Sequence, residues 1–293
     1  MNILDLEQGS DAWHAWRATR RMASESSALL RLSPWAPRTP LQLFEVKSGL
    51  THIEQNPAML HGIVNEGRAR ELYERCGEMM IPHCIERDGY GASLDGISED
   101  GRHILEIKCP VKGSASNLWK AGGAKPAIPE HYRAQVQHQL MVSGAESCEF
   151  LIYAADIYIF KRQTIRPDIE MQSRVRGAWD QFWPFYSSGT PPEPIEGDFV
   201  ERFDAEWIAL EAKYLLAKAM LKGAEAAEEK LRKELFGLAG DASCRGEVLR
   251  VTRYWSRGAV DYAKIPAFKG IDTEPYRKKG GYRNRISEVS ADG

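Results

Sequence analysis

The chain has 293 residues, 43% of them apolar, and a formal net charge of -2. That apolar content can fill one large core or two smaller ones, while the near-neutral charge argues against a protein that coats DNA through an extended basic surface. No run of about eighteen apolar residues occurs and the amino terminus shows no basic-then-apolar leader, so a soluble, cytoplasmic protein without a membrane span is expected; the scattered cysteines, Cys76, Cys84, Cys109, Cys148 and Cys244, fit a reducing compartment.

In chain order, residues 10 to 32 read as a helix capped by Ser10, a break, and a second helix starting near Ala23-Ser24, with Ser24 supplying cap chemistry. A helix amino terminus attracts phosphate, and Arg17 can add a bidentate contact. Arg17, Arg20, Arg21, Arg31 and Arg38 make this segment basic, enough for a local channel. Residues 33 to 40 form a proline-broken loop, followed by a short helix from Leu41 to Lys47. A helix over 59 to 76 is predicted to end at Gly77, and within it Glu66 and Arg70 stand one turn apart, the spacing of a weak ion pair.

Residues 81 to 97 read as two strands around Asp88-Gly89. Ser98 to Arg102 is a turn by composition, so a hairpin brings Asp95 beside Glu106. From Leu105 to Cys109 the backbone is extended. Glu106 and Lys108 then share one polar face, and Leu105, Ile107 and Cys109 share the buried one. Two carboxylates that close repel and favour a cation between them, and oxygen-only ligands suit magnesium or manganese. A lysine on the same face can orient water or neutralise charge at phosphorus, which points to phosphodiester hydrolysis.

Residues 112 to 129 are a loop beside this hairpin, where Ser114, Asn117 and Lys120 are candidate phosphate contacts. A helix from Pro129 to Val142 places Tyr132, Gln135 and Gln139 on one face. Phe150 to Phe160 reads as two strands, and residues 168 to 187 as a closing helix whose Trp179, Phe182, Trp183 and Phe185 belong to a core or a subunit interface. After a Ser/Gly/Pro linker at 187 to 194, Trp207, Leu210, Tyr214, Ala217, Leu221 and Ala224 recur at steps of three and four along a helix or helical hairpin, with Glu228 interrupting the stripe. Residues 240 to 293 carry eleven Lys or Arg against seven Asp or Glu, a mildly basic end that contains a strand-like stretch from Glu247 to Tyr254.

Asp95 followed by Glu106-x-Lys108 resembles the PD-(D/E)XK nuclease signature, and more narrowly the lambda exonuclease and YqaJ group of phage recombination nucleases. Three further blocks carry the likeness in the same order. Glu7-Gln8-Gly9 with Asp11-Ala12-Trp13-His14, Arg17 and Ala23-Ser24 is similar to that group's amino-terminal block. Gly62-x-x-x-Glu66 with Ala69-Arg70 is similar to its acid-bearing helix. Tyr132-x-Ala134-Gln135-Val136-Gln137 is similar to the helix after its catalytic strands.

The resemblance implies an α/β, restriction-endonuclease-like mixed sheet flanked by helices over residues 1–190; the linker and the periodicity beyond it read as a separate helical and small β appendage over 200–293, of unassigned role. The resemblance also implies metal-dependent 5′ to 3′ digestion of linear double-stranded DNA that leaves a 3′ single strand. Asp95, Glu106 and the backbone carbonyl of Ile107 would hold Mg2+, as two ions, with Mn2+ as a substitute. Lys108, Glu66 and Gln135 would serve the attacking water, and Arg17, Ser24 and Ser93 would hold the 5′ phosphate. A homotrimeric ring on DNA ends and a single-strand annealing protein as partner are implied as well. An endonuclease or nickase on the same fold, and a non-catalytic DNA-end adaptor, are the alternative readings.

Overall fold

The computed structural model describes residues 1–121, 123 and 127–253, and the chain divides into two compact units, Met1–Phe199 and Val200–Gly293. The first unit runs β1 (Asn2–Leu4), α1 (Asp11–Ala18), β2 (Arg21–Met22), α2 (Ser26–Leu29), α3 (Pro40–Lys47), α4 (Pro57–Glu74), β3 (Ile81–Arg87), β4 (Tyr90–Ile97), β5 (His103–Lys108), α5 (Asn117–Lys120), α6 (Glu130–Ser143), β6 (Ser147–Ala154), β7 (Ile159–Ile165) and α7 (Ile169–Ser188). The second holds α8 (Ala205–Ala239) and a hairpin of β8 (Cys244–Arg245) and β9 (Arg250–Val251).

The first unit is built on one mixed sheet in the order β1-β3-β4-β5-β6-β7, with β2 alongside β4. β5 and β6 are parallel, joined by the crossover through α6, and β2 runs parallel to β4; the remaining pairs are antiparallel. Asp88 and Gly89 both have positive φ, 52° and 79°, which a two-residue turn with the twist of its strands requires and an Asp-Gly pair supplies.

The sheet is covered on both faces. α6 lies on one, where Val136 and Leu140 join Ile85, Leu94, Ile104, Phe150 and Ile152 in the main core. α4 lies on the other, where Ala69 and Tyr73 pack with Met80, Leu105, Ile107 and Leu151. The expected polar face of β5 is therefore no open surface: Glu106 is only 2% exposed, because α6 closes over it. Of the α7 aromatics, Trp179 and Phe182 are core as expected, packed against Leu29, Leu43 and Phe44, and Trp183 is partly buried beside them, but Phe185 is 41% exposed.

Several expected boundaries move. Ser10 caps α1 through the Trp13 N–H, but Ser24 caps nothing: it sits in a 3₁₀ turn (Ala23–Glu25), and α2 begins two residues later without a side-chain cap. α4 ends at Arg75 rather than Gly77, its last turn closed by the Arg75 N–H. The expected pair of strands over 150 to 160 is longer and displaced, because the chain reverses at residues 155–158 with Tyr158 at φ 55°. In the second unit α8 is one continuous helix capped by Asp204, and the strand-like stretch from Glu247 reduces to Arg250–Val251 within the described residues.

Candidate active site

The site is made by a local fault in the sheet. β3 and β4 pair His83 with Leu94 and then Ile81 with Ile97, so Asp95 and Gly96 together oppose Pro82. Proline has no N–H to give a ladder, and an extra residue opposite it makes a bulge that re-aims the side chain it carries. Gly96 is required there, since a Cβ would stand 2.6 Å from that of Met80. β4 pairs with β5 only through Gly96 and Ile97. Beyond that the strands part, and the Asp95 carboxylate fills the gap: its Oδ2 accepts the Ile107 N–H at 2.6 Å. A strand residue turns its N–H and C=O to the same side, so the Ile107 carbonyl faces the Asp95 side too.

On the other face of β5, Glu106 lies beneath α6. Its Oε1 accepts from Gln135 Nε2 at 2.7 Å and pairs with Lys108, and its Oε2 accepts from Gln139 Nε2 at 2.5 Å. The Lys108 ammonium also stands 5.0 Å from the centre of the Tyr132 ring. Glu66, on α4, meets Arg70 at 3.8 Å, while Arg70 gives a better bond, 3.1 Å, to the Asp95 carbonyl. The ion pair read from spacing is thus the weaker of Arg70's two contacts.

Burial, followed by the charges of Glu106 and Glu66, pushes the Asp95 carboxyl well above the usual range. Burial and the Glu106 charge raise Glu66 as well. Burial alone would lower Lys108, but Glu106 and Asp95 outweigh it and hold the ammonium well above the ordinary lysine value. The Glu106 and Asp95 charges thus favour the ammonium form of Lys108. Asp95, Glu66, Glu106 and the Ile107 carbonyl form a hard-oxygen donor set with more negative charge than Lys108 balances, which fits magnesium or manganese. Among the described residues no three such groups stand assembled around one point, so binding an ion would require Glu106 to give up part of its present bonding.

The expected phosphate anchor forms a second cluster. Arg17 Nη2 donates to Ser24 Oγ at 3.0 Å, and its guanidinium lies 4.5 Å from the centre of the Trp13 ring, whose Nε1 donates to Ser93 Oγ at 2.9 Å. Arg17, Ser24 and Ser93 are therefore linked through Trp13, a residue whose role the sequence reading missed. The signal was present, since Trp13 and Arg17 are one helical turn apart. Glu25 reaches Arg17 only at 3.6 Å because buried Lys47 holds it at 2.9 Å, with a second bond from Lys47 to the Arg17 carbonyl. The basic segment is not a free channel: Arg20 is paired with Glu86 and Arg21 with Asp180.

Ser114 is not open to phosphate, because its N–H and Oγ both bond Asp156, at 2.9 and 2.5 Å. Asn117 and Lys120 bound the single turn of α5, which Lys161 ties down through the carbonyls of Trp119 and Gly123.

Residues 12–146 match the description of the YqaJ-like viral recombinase domain. The similarity to that family spans just under half of the chain. The match contains every residue of both clusters, from Trp13 to Gln139, and bears out the resemblance read from the sequence blocks. Among solved structures, LHK-Exo in complex with dAMP has a TM-score of 0.51 at 23% identity, over 61% of this chain and 94% of that one. The alkaline exonuclease LHK-Exo from Laribacter hongkongensis has a TM-score of 0.49 at 24% identity, over 61% and 95%. A phage related exonuclease from Haemophilus somnus 129PT has 0.43 at 10%, over 57% and 93%. At these identities the first is a likeness of fold. No curated protein matches the chain. Among the described residues no helix is long and apolar enough to cross a membrane.

Proposed function

We propose that the YqaJ-like domain is a metal-dependent 5′ to 3′ exonuclease on linear double-stranded DNA, leaving 3′ single strands for recombination by annealing. The observation that carries the reading is the Glu106–Lys108 pair on β5 with the Asp95 carboxylate bonded to the N–H of Ile107 between them. Asp95, Glu106 and the Ile107 carbonyl would hold Mg2+, or Mn2+ in its place. Bound there, the metal would supply Lewis acidity toward the scissile phosphate and lower the pKa of a water molecule toward neutrality.

Lys108, fixed as an ammonium, offsets charge that builds on the non-bridging phosphate oxygens. Gln135 and Gln139 orient the Glu106 carboxylate, and Glu66, raised toward protonation, is placed to take a proton from water. Arg17 and Ser24, with Ser93 aligned through Trp13, bind the terminal 5′ phosphate and so set which strand is cut. By resemblance, the working assembly is a ring of three chains acting with an annealing protein; a ring retains DNA topologically and needs no uniformly basic surface.

The test is digestion, with magnesium, of a linear duplex bearing 5′ phosphate, the same duplex with 5′ hydroxyl, and a closed circle, all with strand-specific labels. Loss of the 5′-phosphorylated strand alone, with circles spared, is expected. Cutting of circles would make the protein an endonuclease, and end binding without cutting would make it an adaptor.

A further inference from the structure

The amino-terminal unit holds both clusters described above, and α8 has no part in them. It is a continuous helix of 35 residues without a single buried position. At about 1.5 Å per residue it is about 52 Å long. Nine of its apolar residues share one register, while Ile208, Leu215, Leu216, Met220 and Phe236 lie outside it. Trp207, Leu210, Tyr214, Ala217, Leu221, Ala224, Leu231, Leu235 and Leu238 recur at alternating steps of three and four, with Glu228 the one polar residue in the register. That is the a/d seam of a coiled coil sustained for over four heptads, beyond the three or so that such a reading requires. The seam is open: Leu210, Leu221 and Leu231 are 63, 60 and 59% exposed.

The charges beside the seam decide what covers it. With Trp207 at position a, the e positions read Glu211, Lys218, Glu225, Arg232, and the g positions Lys213, Met220, Ala227, Glu234. In an antiparallel pair, e faces e and g faces g across a two-fold axis. Placing that axis between Leu221 and Ala224 sets Glu211 against Arg232 of the second copy and Lys213 against Glu234 of the second copy. The same register sets Trp207 on Leu238, Leu210 on Leu235, Tyr214 on Leu231 and Leu221 on Ala224. It also lays Glu228 over the small Ala217, which lets its carboxylate reach the edge of the seam. A parallel pair fails on the same residues, because Glu228 would face its own copy inside the seam and Lys213 would face Lys218. The pattern is complementary to itself and only when reversed.

We propose that α8 is a self-association helix, pairing antiparallel with α8 of a second copy of this chain through the Trp207-to-Leu238 seam. Opposite charges at 211 and 232 and at 213 and 234 fix the register, as e and g residues do in such pairs. If the amino-terminal units form a three-chain ring, this contact joins two rings; if they do not, it makes a dimer.

The full-length chain tests this by sedimentation equilibrium at low salt. Wild type is expected as a particle with an even number of chains. Lys213→Glu with Arg232→Glu turns the 211–232 and 213–234 pairs repulsive, leaving only Lys218 against Glu225 attractive, and should halve the particle mass and raise the dissociation constant about tenfold or more. Adding Glu211→Arg and Glu234→Lys reverses both sides and should restore the wild-type mass. All four positions are exposed, and far-ultraviolet circular dichroism verifies that the helix persists. A mass unchanged by the double reversal, or a fourfold variant as dissociated as the double one with its helix intact, would overturn the proposal.

Discussion

Gln139 donates to Glu106 Oε2 at 2.5 Å, both side chains almost wholly buried, while the amide's own oxygen has no partner among the described residues. A hydrogen bond to a buried carboxylate is worth about 1.5–3 kcal/mol, and a buried acceptor left unpaired costs about 1–3 kcal/mol. The two nearly cancel, so Gln139 adds little to stability and its gain is the orientation of Glu106. Gln139→Met should change unfolding free energy by about 1 kcal/mol or less while lowering kcat about tenfold or more. Denaturant unfolding and single-turnover digestion, read on the same preparation, check the split.

Asp95 gives a metal-linked prediction. Its folded-state pKa is raised, so its contribution to stability is present below the unfolded carboxylate value and lost as pH rises through the folded one. At neutral pH the ionised group is therefore a liability that a cation relieves. Asp95→Asn keeps an oxygen for the Ile107 N–H and removes the charge. It should raise the melting temperature without metal and abolish the rise that Mg2+ gives to the wild type, as thermal unfolding with and without Mg2+ would reveal.

A second pH effect originates away from the site. His138 is buried, bonds Ser26 Oγ through Nδ1 at 2.7 Å, and has its pKa pushed down to about 3 by burial. The unfolded chain takes up a proton near pH 6.5, and the folded chain does not until far lower. Stability should fall on acidification from about pH 6.5 toward pH 3, by up to about 1.4 kcal/mol per pH unit. Unfolding at pH 7.5 and pH 5.5 measures it, and a His138 ring still neutral by NMR at pH 5 identifies the source.

Arg17 should govern the choice of DNA end. Its bond to Ser24 and its place over the Trp13 ring hold the guanidinium, and the N–H of the same ring bonds Ser93. Arg17→Ala should reduce the rate ratio between 5′-phosphate and 5′-hydroxyl duplexes about tenfold or more, the worth of a charge-assisted hydrogen bond. Trp13→Phe, which keeps the ring and loses its N–H, should give a smaller reduction in the same ratio.

The parts of the site legible in the sequence are those set by short-range periodicity. Glu106 and Lys108 share a face because strands repeat every two residues, and Gln135 and Gln139 share one because helices repeat every 3.6. Gln139 was visible on that face, yet nothing local reveals that Glu106 would lie beneath it. The bulge at Asp95-Gly96 was hidden for a related reason, since it depends on which β4 residues fall opposite Pro82. Ser24 has the composition of a cap but is claimed by Arg17, and the turn at residues 155–158 has neither glycine nor proline to announce it. In each case a long-range partner overrode a local preference.

The most direct test of the account compares wild type with Glu106→Gln and Lys108→Met on a 5′-phosphorylated linear duplex in Mg2+, with DNA binding measured alongside. Both substitutions leave a buried group of similar size. The account predicts that each abolishes cleavage while binding to DNA ends persists. Undiminished cleavage by either variant would contradict it.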